Sequence, residues 1–106
     1  MWWKFTINWL RDKIPEIIKA NGQVPYTHIL EDDKEYIIAL TDKLNEESQG
    51  VKGRPCLDEL ADVLEVLHTI GKKLGFSLKQ IEGARVKKAT QRGGFKNRIF
   101  LEETDE

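Results

Sequence analysis

The sequence predicts an all-α protein: an antiparallel helical bundle of about four helices with short extended segments at the N- and C-terminal ends, built as a single domain over residues 1–106. Two observations carry most of that prediction. Apolar residues recur at helical spacing through residues 33–49 and again through residues 57–74, and capping residues, glycines and prolines fall at the ends of these runs. Composition agrees: 40% hydrophobic and 33% charged residues describe a folded, highly charged helical chain and not a disordered one.

At the N-terminus Trp3, Phe5, Ile7 and Trp9 alternate with Trp2, Lys4, Thr6 and Asn8, a period of two that predicts an extended segment. So much aromatic surface calls for cover, by helices of the same chain or by another subunit. The run Arg11-Asp12-Lys13-Ile14-Pro15-Glu16-Ile17-Ile18 predicts a first helix, with Pro15 in its first turn and Gly22 at its exit. Residues 24–30 are β-branched and aromatic enough for a short strand. Asp32 or Asp33 caps a second helix running to about Gln49, after which Gly50, Gly53 and Pro55 predict a loop. A third helix runs from about Leu57 to Leu74 and closes at Gly75. Ser77 caps a fourth, with Gln80 at the capping-box position, and Gly93-Gly94 ends it. Residues 95–101 form a candidate extended tail, with residues 24–30 as its candidate partner.

Acidic residues sit where an apolar face should continue. At about 100° per residue, Leu60, Val63, Leu64, Val66, Leu67, Ile70 and Gly71 fill one broad arc of the third helix, and Glu59 lies inside it between Val63 and Val66. On the second helix Tyr36, Ile37, Leu40 and Leu44 share a face with Glu47. A carboxylate pushed toward an apolar core loses several kcal/mol of solvation, on the order of a buried charge, unless it is protonated, paired or bound to a cation. Asp62 stands three residues after Glu59 and shares its side. Glu47, Glu59 and Asp62 on two antiparallel helices therefore make a candidate site for a hard divalent cation, Mg²⁺ or Mn²⁺. The alternative is neutralisation by basic residues, for which Arg85 and Lys88 on the fourth helix are candidates. Glu46 falls on the polar side, and Glu65 is a peripheral group. Lys88 and Arg92, and Arg11 and Lys13 at the first helix, are candidates for holding phosphate oxygens.

Other classes are set aside by composition. A net charge of -1 lacks the basic excess of a nucleic-acid-binding domain. No apolar run approaches the roughly 20 residues of a membrane span. The single cysteine, Cys56, excludes an internal disulfide and fits a reducing compartment, so a cytoplasmic location is expected. His28 and His68 lack the spacing of a zinc site.

With these residues in view, the chain resembles the all-α nucleotide pyrophosphohydrolases of the MazG and phosphoribosyl-ATP pyrophosphohydrolase superfamily, in particular its small single-domain branch. The resemblance is carried by Trp9-Leu10-Arg11-Asp12-Lys13-Ile14-Pro15, Lys43-Leu44-Asn45-Glu46-Glu47, Asp58-Glu59-Leu60-Ala61-Asp62-Val63-Leu64-Glu65-Val66, Lys87-Lys88-Ala89, Arg92-Gly93-Gly94-Phe95 and Arg98-Ile99-Phe100-Leu101-Glu102-Glu103, in order along nearly the whole chain.

The resemblance implies Mg²⁺-dependent hydrolysis of a nucleoside triphosphate between its α and β phosphates, giving a monophosphate and pyrophosphate. It implies Glu47 and Glu59 as catalytic residues, Glu47, Glu59 and Asp62 as metal ligands, and Lys88, Arg92, Arg11 and Lys13 as substrate-binding residues. It also implies a homo-oligomer, a dimer or tetramer. The family's metal motif is Glu-x-x-Glu followed by Glu-x-x-Asp. Here the second half is intact, but Gly50 stands where the first half expects its second glutamate. That departure opens a second expectation, a catalytically degenerate member that binds nucleotide or a protein partner.

Overall fold

Capping chemistry sets the helix boundaries. The structure, a computed structural model, describes residues 10–105, and the aromatic segment 1–9 with its predicted extended conformation lies outside them. Four helices follow in order: α1 (Ile14–Ala20), α2 (Asp33–Gly53), α3 (Leu57–Lys73) and α4 (Leu78–Arg92). Pro15 occupies the first turn of α1 and Gly22 leaves it with φ 81°, a conformation open to glycine. Asp32 caps α2 by accepting the Lys34 N–H at 3.1 Å. At α4 both bonds of the capping box form: the Gln80 N–H donates to Ser77 Oγ at 3.1 Å, and the Ser77 N–H donates to Gln80 Oε1 at 2.8 Å.

Two predicted features differ. The second helix does not stop at Gln49 but runs through both glycines to Gly53, its last turn closed by the Arg54 N–H donating to the Gly50 carbonyl at 2.9 Å. It ends because Arg54 precedes Pro55, and the proline ring drives the residue before it out of the helical region, to φ −147° and ψ 80°. The predicted strand at 24–30 and its pairing with 95–101 are absent; no strand occurs among the described residues. Pro25 removes a ladder donor within the first segment, and in the second Arg98 turns left-handed at φ 63° while its N–H bonds back to the Phe95 carbonyl at 3.3 Å. Val24, Tyr26, Ile29, Phe95, Ile99 and Phe100 are all exposed.

The centre of the fold is the α2–α3 hairpin. Residues 54–56 link the two helices, a connection so short that they must run antiparallel. Their ends confirm the pairing: Lys73 at the C-terminus of α3 bonds Asp33 at the N-terminus of α2 at 2.7 Å, each charge also suiting its helix end. Among the described residues Ala39 and Leu40 from α2 and Val66 from α3 form the buried apolar core. α4 docks at the far end of α3, where Gly71 lies flat against Ile81; a Cβ on Gly71 would come within 2.5 Å of the Ile81 side chain.

The result is elongated, about 60 × 31 × 26 Å with a radius of gyration of 17.8 Å, against roughly 13 Å for a compact domain of about 100 residues. A second apolar stripe on α3, formed by Leu57, Leu60, Leu64 and Leu67, is left exposed among the described residues. Leu40, only 4% exposed, is the best-buried apolar side chain among the described residues. Leu40→Ala is expected to destabilise the fold by about 2–4 kcal/mol, as read from urea denaturation. Ser77→Ala, which removes the cap of α4, should cost about 1 kcal/mol in the same measurement.

Candidate metal centre

The hairpin brings together the three carboxylates that the sequence pattern singles out. Glu47, Glu59 and Asp62 each offer an oxygen, and these atoms lie within 4.8 Å of one another. Glu47 comes from the penultimate turns of α2, Glu59 and Asp62 from the first two turns of α3, so the site sits beside the 54–56 turn. Glu47 is buried at 7% exposure, while Glu59 and Asp62 are half-buried at the rim. This group could hold a metal ion: it offers three oxygen donors, one from a buried residue and two from half-buried ones.

Gly50 has a structural role that its glycine identity explains. It lies within α2, one turn beyond Glu47, and a Cβ built on it would stand 2.5 Å from Glu59 Oε2. The missing side chain gives the Glu59 carboxylate its place against the α2 backbone. A glutamate at position 50 would therefore not simply add a fourth ligand; it would first push Glu59 aside, a movement open to the tip of a flexible side chain.

Positive charge enters from residues that the sequence pattern does not single out, and from one that it does. Lys43, one turn before Glu47 on the same face of α2, is 2% exposed, and its Nζ lies 3.2 Å from Glu47 Oε1 and 3.3 Å from Glu46 Oε1. The signal was present: on the wheel Lys43 lies beside Tyr36 and Glu47, at the edge of the inward arc, where a charge is as anomalous as at Glu47. Glu46, expected on the polar side, is instead half-buried through this contact. Arg11, a candidate phosphate ligand, reaches the site from the entry to α1 and pairs with Asp62 at 2.5 Å. Glu59 makes no ion pair among the described residues.

The candidate neutralising residues of α4 are not used that way. Arg85 is bonded to Glu82 on its own helix at 3.0 and 2.9 Å. Lys88 and Arg92 are exposed on α4 and form no ion pair among the described residues, and neither does the exposed Lys13. No contact joins Lys88, Arg92 or Lys13 to the three carboxylates. A hollow of about 420 Å³ at the α3–α4 junction, lined by Glu65, His68, Lys72 and Phe76 among others, includes none of the three carboxylates.

Electrostatics mark Glu47 as the unusual member. Burial pushes its carboxyl above the ordinary value of 4.5; Lys43 pulls it back, and the neighbouring Asp62 raises it again. The net upward direction means that Lys43 does not fully offset what the carboxylate loses in leaving water beside a second acid. Such a residual is what a divalent ion removes.

No protein-family model, curated protein or solved structure matches the chain.

Because the fold holds the Glu47 proton more tightly than the unfolded chain does, Glu47 supports stability below its unfolded value. It withdraws that support as pH rises through its raised folded value. In metal-free protein the stability of wild type relative to Glu47→Gln is expected to fall as pH rises from the ordinary carboxyl value of 4.5 toward neutrality. Urea denaturation of both proteins across that range checks it; a difference that grows more favourable to wild type with pH is the opposite sign.

Proposed function

We propose that the protein is a Mg²⁺-dependent nucleoside triphosphate pyrophosphohydrolase, cleaving between the α and β phosphates to release a monophosphate and pyrophosphate. The observation that carries this reading is the convergence of Glu47, Glu59 and Asp62 from two antiparallel helices to within 4.8 Å. The sequence resemblance supplies the reaction class, and the carboxylate triangle supplies chemistry suited to it.

Glu47, Glu59 and Asp62 would hold the ion. A divalent cation there supplies positive charge against the phosphates and acidifies a water. The residues of the chain do the rest. Glu59, without a basic partner among the described residues, keeps oxygen lone pairs for orienting and deprotonating the attacking water. Lys43 and Arg11 fix the orientation of Glu47 and Asp62 through their ion pairs. Lys88, Arg92 and Lys13 are the cations left for triphosphate oxygens, and on this reading they close on the substrate from their exposed positions when it binds.

The test is pyrophosphate release from a panel of nucleoside triphosphates with Mg²⁺ or Mn²⁺. Activity that falls at least about 100-fold in Glu59→Ala and Asp62→Asn, in folded protein, supports the enzyme. Gly50 favours a second reading, a degenerate family member that binds nucleotide or a protein partner without turnover. Metal-dependent nucleotide binding with no pyrophosphate from any nucleotide selects that reading.

The uncovered stripe of Leu57, Leu60, Leu64 and Leu67 on α3 supports a homo-oligomer, a dimer or a tetramer, because these leucines are about half exposed or more, Leu60 at 56% and Leu64 at 51%. Leu60→Glu combined with Leu64→Glu is expected to give a monomer in sedimentation velocity where wild type sediments as an oligomer. No helix among the described residues is long and apolar enough to cross a membrane. A lone free cysteine, Cys56, suits the reducing cytoplasm, where we place the activity.

A further inference from the structure

The net charge of -1 is the sum of two opposed regions. Residues 72–98 hold nine of the 17 basic side chains and only one of the 18 acids, Glu82. The remainder of the chain holds 17 acids against eight bases. The lack of a basic excess, which argues against nucleic acid for the chain as a whole, does not describe this stretch.

α4 and the turn after it carry the charge into solvent. Glu82 is already bonded by Arg85 on its own helix. Lys79, Lys87, Lys88, Arg92, Lys96 and Arg98 are all exposed, and none forms an ion pair among the described residues. At about 100° per residue, Lys88 and Arg92 fall on one side of α4, and Lys79 and Lys87 on the opposite side. Ile81 packs against Gly71 of α3, while residues 82–88 are exposed, so most of the helix is a positive rod open to solvent.

Aromatic surface lies beside this charge. Phe95 is 98% and Phe100 87% exposed, with Lys96 and Arg98 between them. The Arg98 N–H donates back to the Phe95 carbonyl at 3.3 Å and closes a turn at this point. A bilayer surface calls for a helix with one broad apolar face. α4 has none, its large exposed apolar residues being Leu78 and Val86. A duplex keeps its bases in the stack, out of reach of the two rings. Cations interleaved with bare aromatic rings fit a single strand, whose phosphates meet the cations and whose bases stack on the rings. Glu102, Glu103 and Asp105 follow at once and end the positive surface at Arg98.

We propose that α4 and residues 95–100 form a binding surface for single-stranded nucleic acid, with the exposed lysines and arginines on phosphates and Phe95 and Phe100 stacked on bases. The surface uses no carboxylate of the α2–α3 hairpin, so it stands or falls apart from the pyrophosphohydrolase reading. Lys88 and Arg92 are the cations given to triphosphate oxygens on that reading; Lys87 and Lys96 are not, and the test uses those two.

The experiment is fluorescence anisotropy of labelled oligothymidylate and oligouridylate, each about 15 nucleotides long, titrated with the full chain at about 50 mM salt. Wild type is expected to bind a single strand at least about tenfold more tightly than a duplex of the same length, and to lose affinity as salt rises. Phe95→Ala combined with Phe100→Ala should weaken single-strand binding about tenfold or more and leave the salt dependence unchanged. Lys87→Gln combined with Lys96→Gln should make the salt dependence shallower. All four positions are exposed, and circular dichroism checks that the variants stay folded. No binding by wild type, a duplex bound as tightly as the single strand, or full affinity in the phenylalanine variant overturns the proposal. Binding to phosphatidylserine vesicles or to polyglutamate in preference to either oligonucleotide also overturns it, and gives the surface to a membrane or to an acidic protein.

Discussion

The close antiparallel packing of α2 against α3 is the constraint on which the rest depends. A three-residue link, Arg54 to Cys56, gives the two helices no freedom to diverge at the end where the acids lie. The absence of a side chain at Gly50 then lets the Glu59 carboxylate settle against the α2 backbone. Two backbone facts, one proline that stops α2 and one glycine that thins it, thus fix the separation of three charged groups. A Gly in a helix interior costs about 1 kcal/mol relative to alanine. That price is accepted here at the one turn where a neighbouring carboxylate needs the room.

Once the helices are held so, the charges follow. Glu47 faces inward because Leu40 and Ala39 on its own helix must, and a face cannot be apolar at one turn and turned away at the next. Its neighbours determine how the burial is offset. Lys43 shares the face and compensates in part, Asp62 arrives from α3 and adds repulsion, and Arg11 pairs with Asp62 at the rim. The Glu47 carboxyl is left raised, a group held by the fold in a state that a cation would relieve. Stability and site chemistry are in opposition at this position, as they commonly are where a protein prepares a charge for use.

Much of this was legible in the sequence because it rests on periodicity. Helical spacing placed Glu47, Glu59 and Asp62 on facing arcs, and caps at Asp32 and Ser77 placed the helix starts, since both signals are local and depend on the backbone alone. The residues that were missed depend on tertiary context. Lys43 stands beside Glu47 on the wheel, but a long side chain at that position ordinarily snorkels to water, and only the packed hairpin shows that it does not. Gly50 and Gly53 look like a loop to any local rule, yet α3 lies alongside and keeps the helix going. Residues 24–30 and 95–101 have strand composition, and Pro25 and the left-handed Arg98 deny them a ladder. Lys88 and Arg92 share a helix face by spacing, but which way α4 leans from its anchor at Gly71 is a matter of packing that spacing does not encode.

α3 also links the site to whatever surrounds it. One of its faces, with Glu59, Asp62, Val66 and Ile70, is turned to α2; the adjoining face carries Leu57, Leu60, Leu64 and Leu67, which are exposed among the described residues. Leu60 immediately follows Glu59, and Val63 and Leu64 follow Asp62, so the backbone segment that positions the acids is the same one that presents the bare leucines. Covering a leucine that is half exposed gains on the order of 1 kcal/mol, and several in a row along one helix would stiffen it. Among the described residues the apolar side chains buried in the hairpin are Ala39, Leu40 and Val66. The leucine stripe and two of the three carboxylates thus belong to one helix, on adjoining faces.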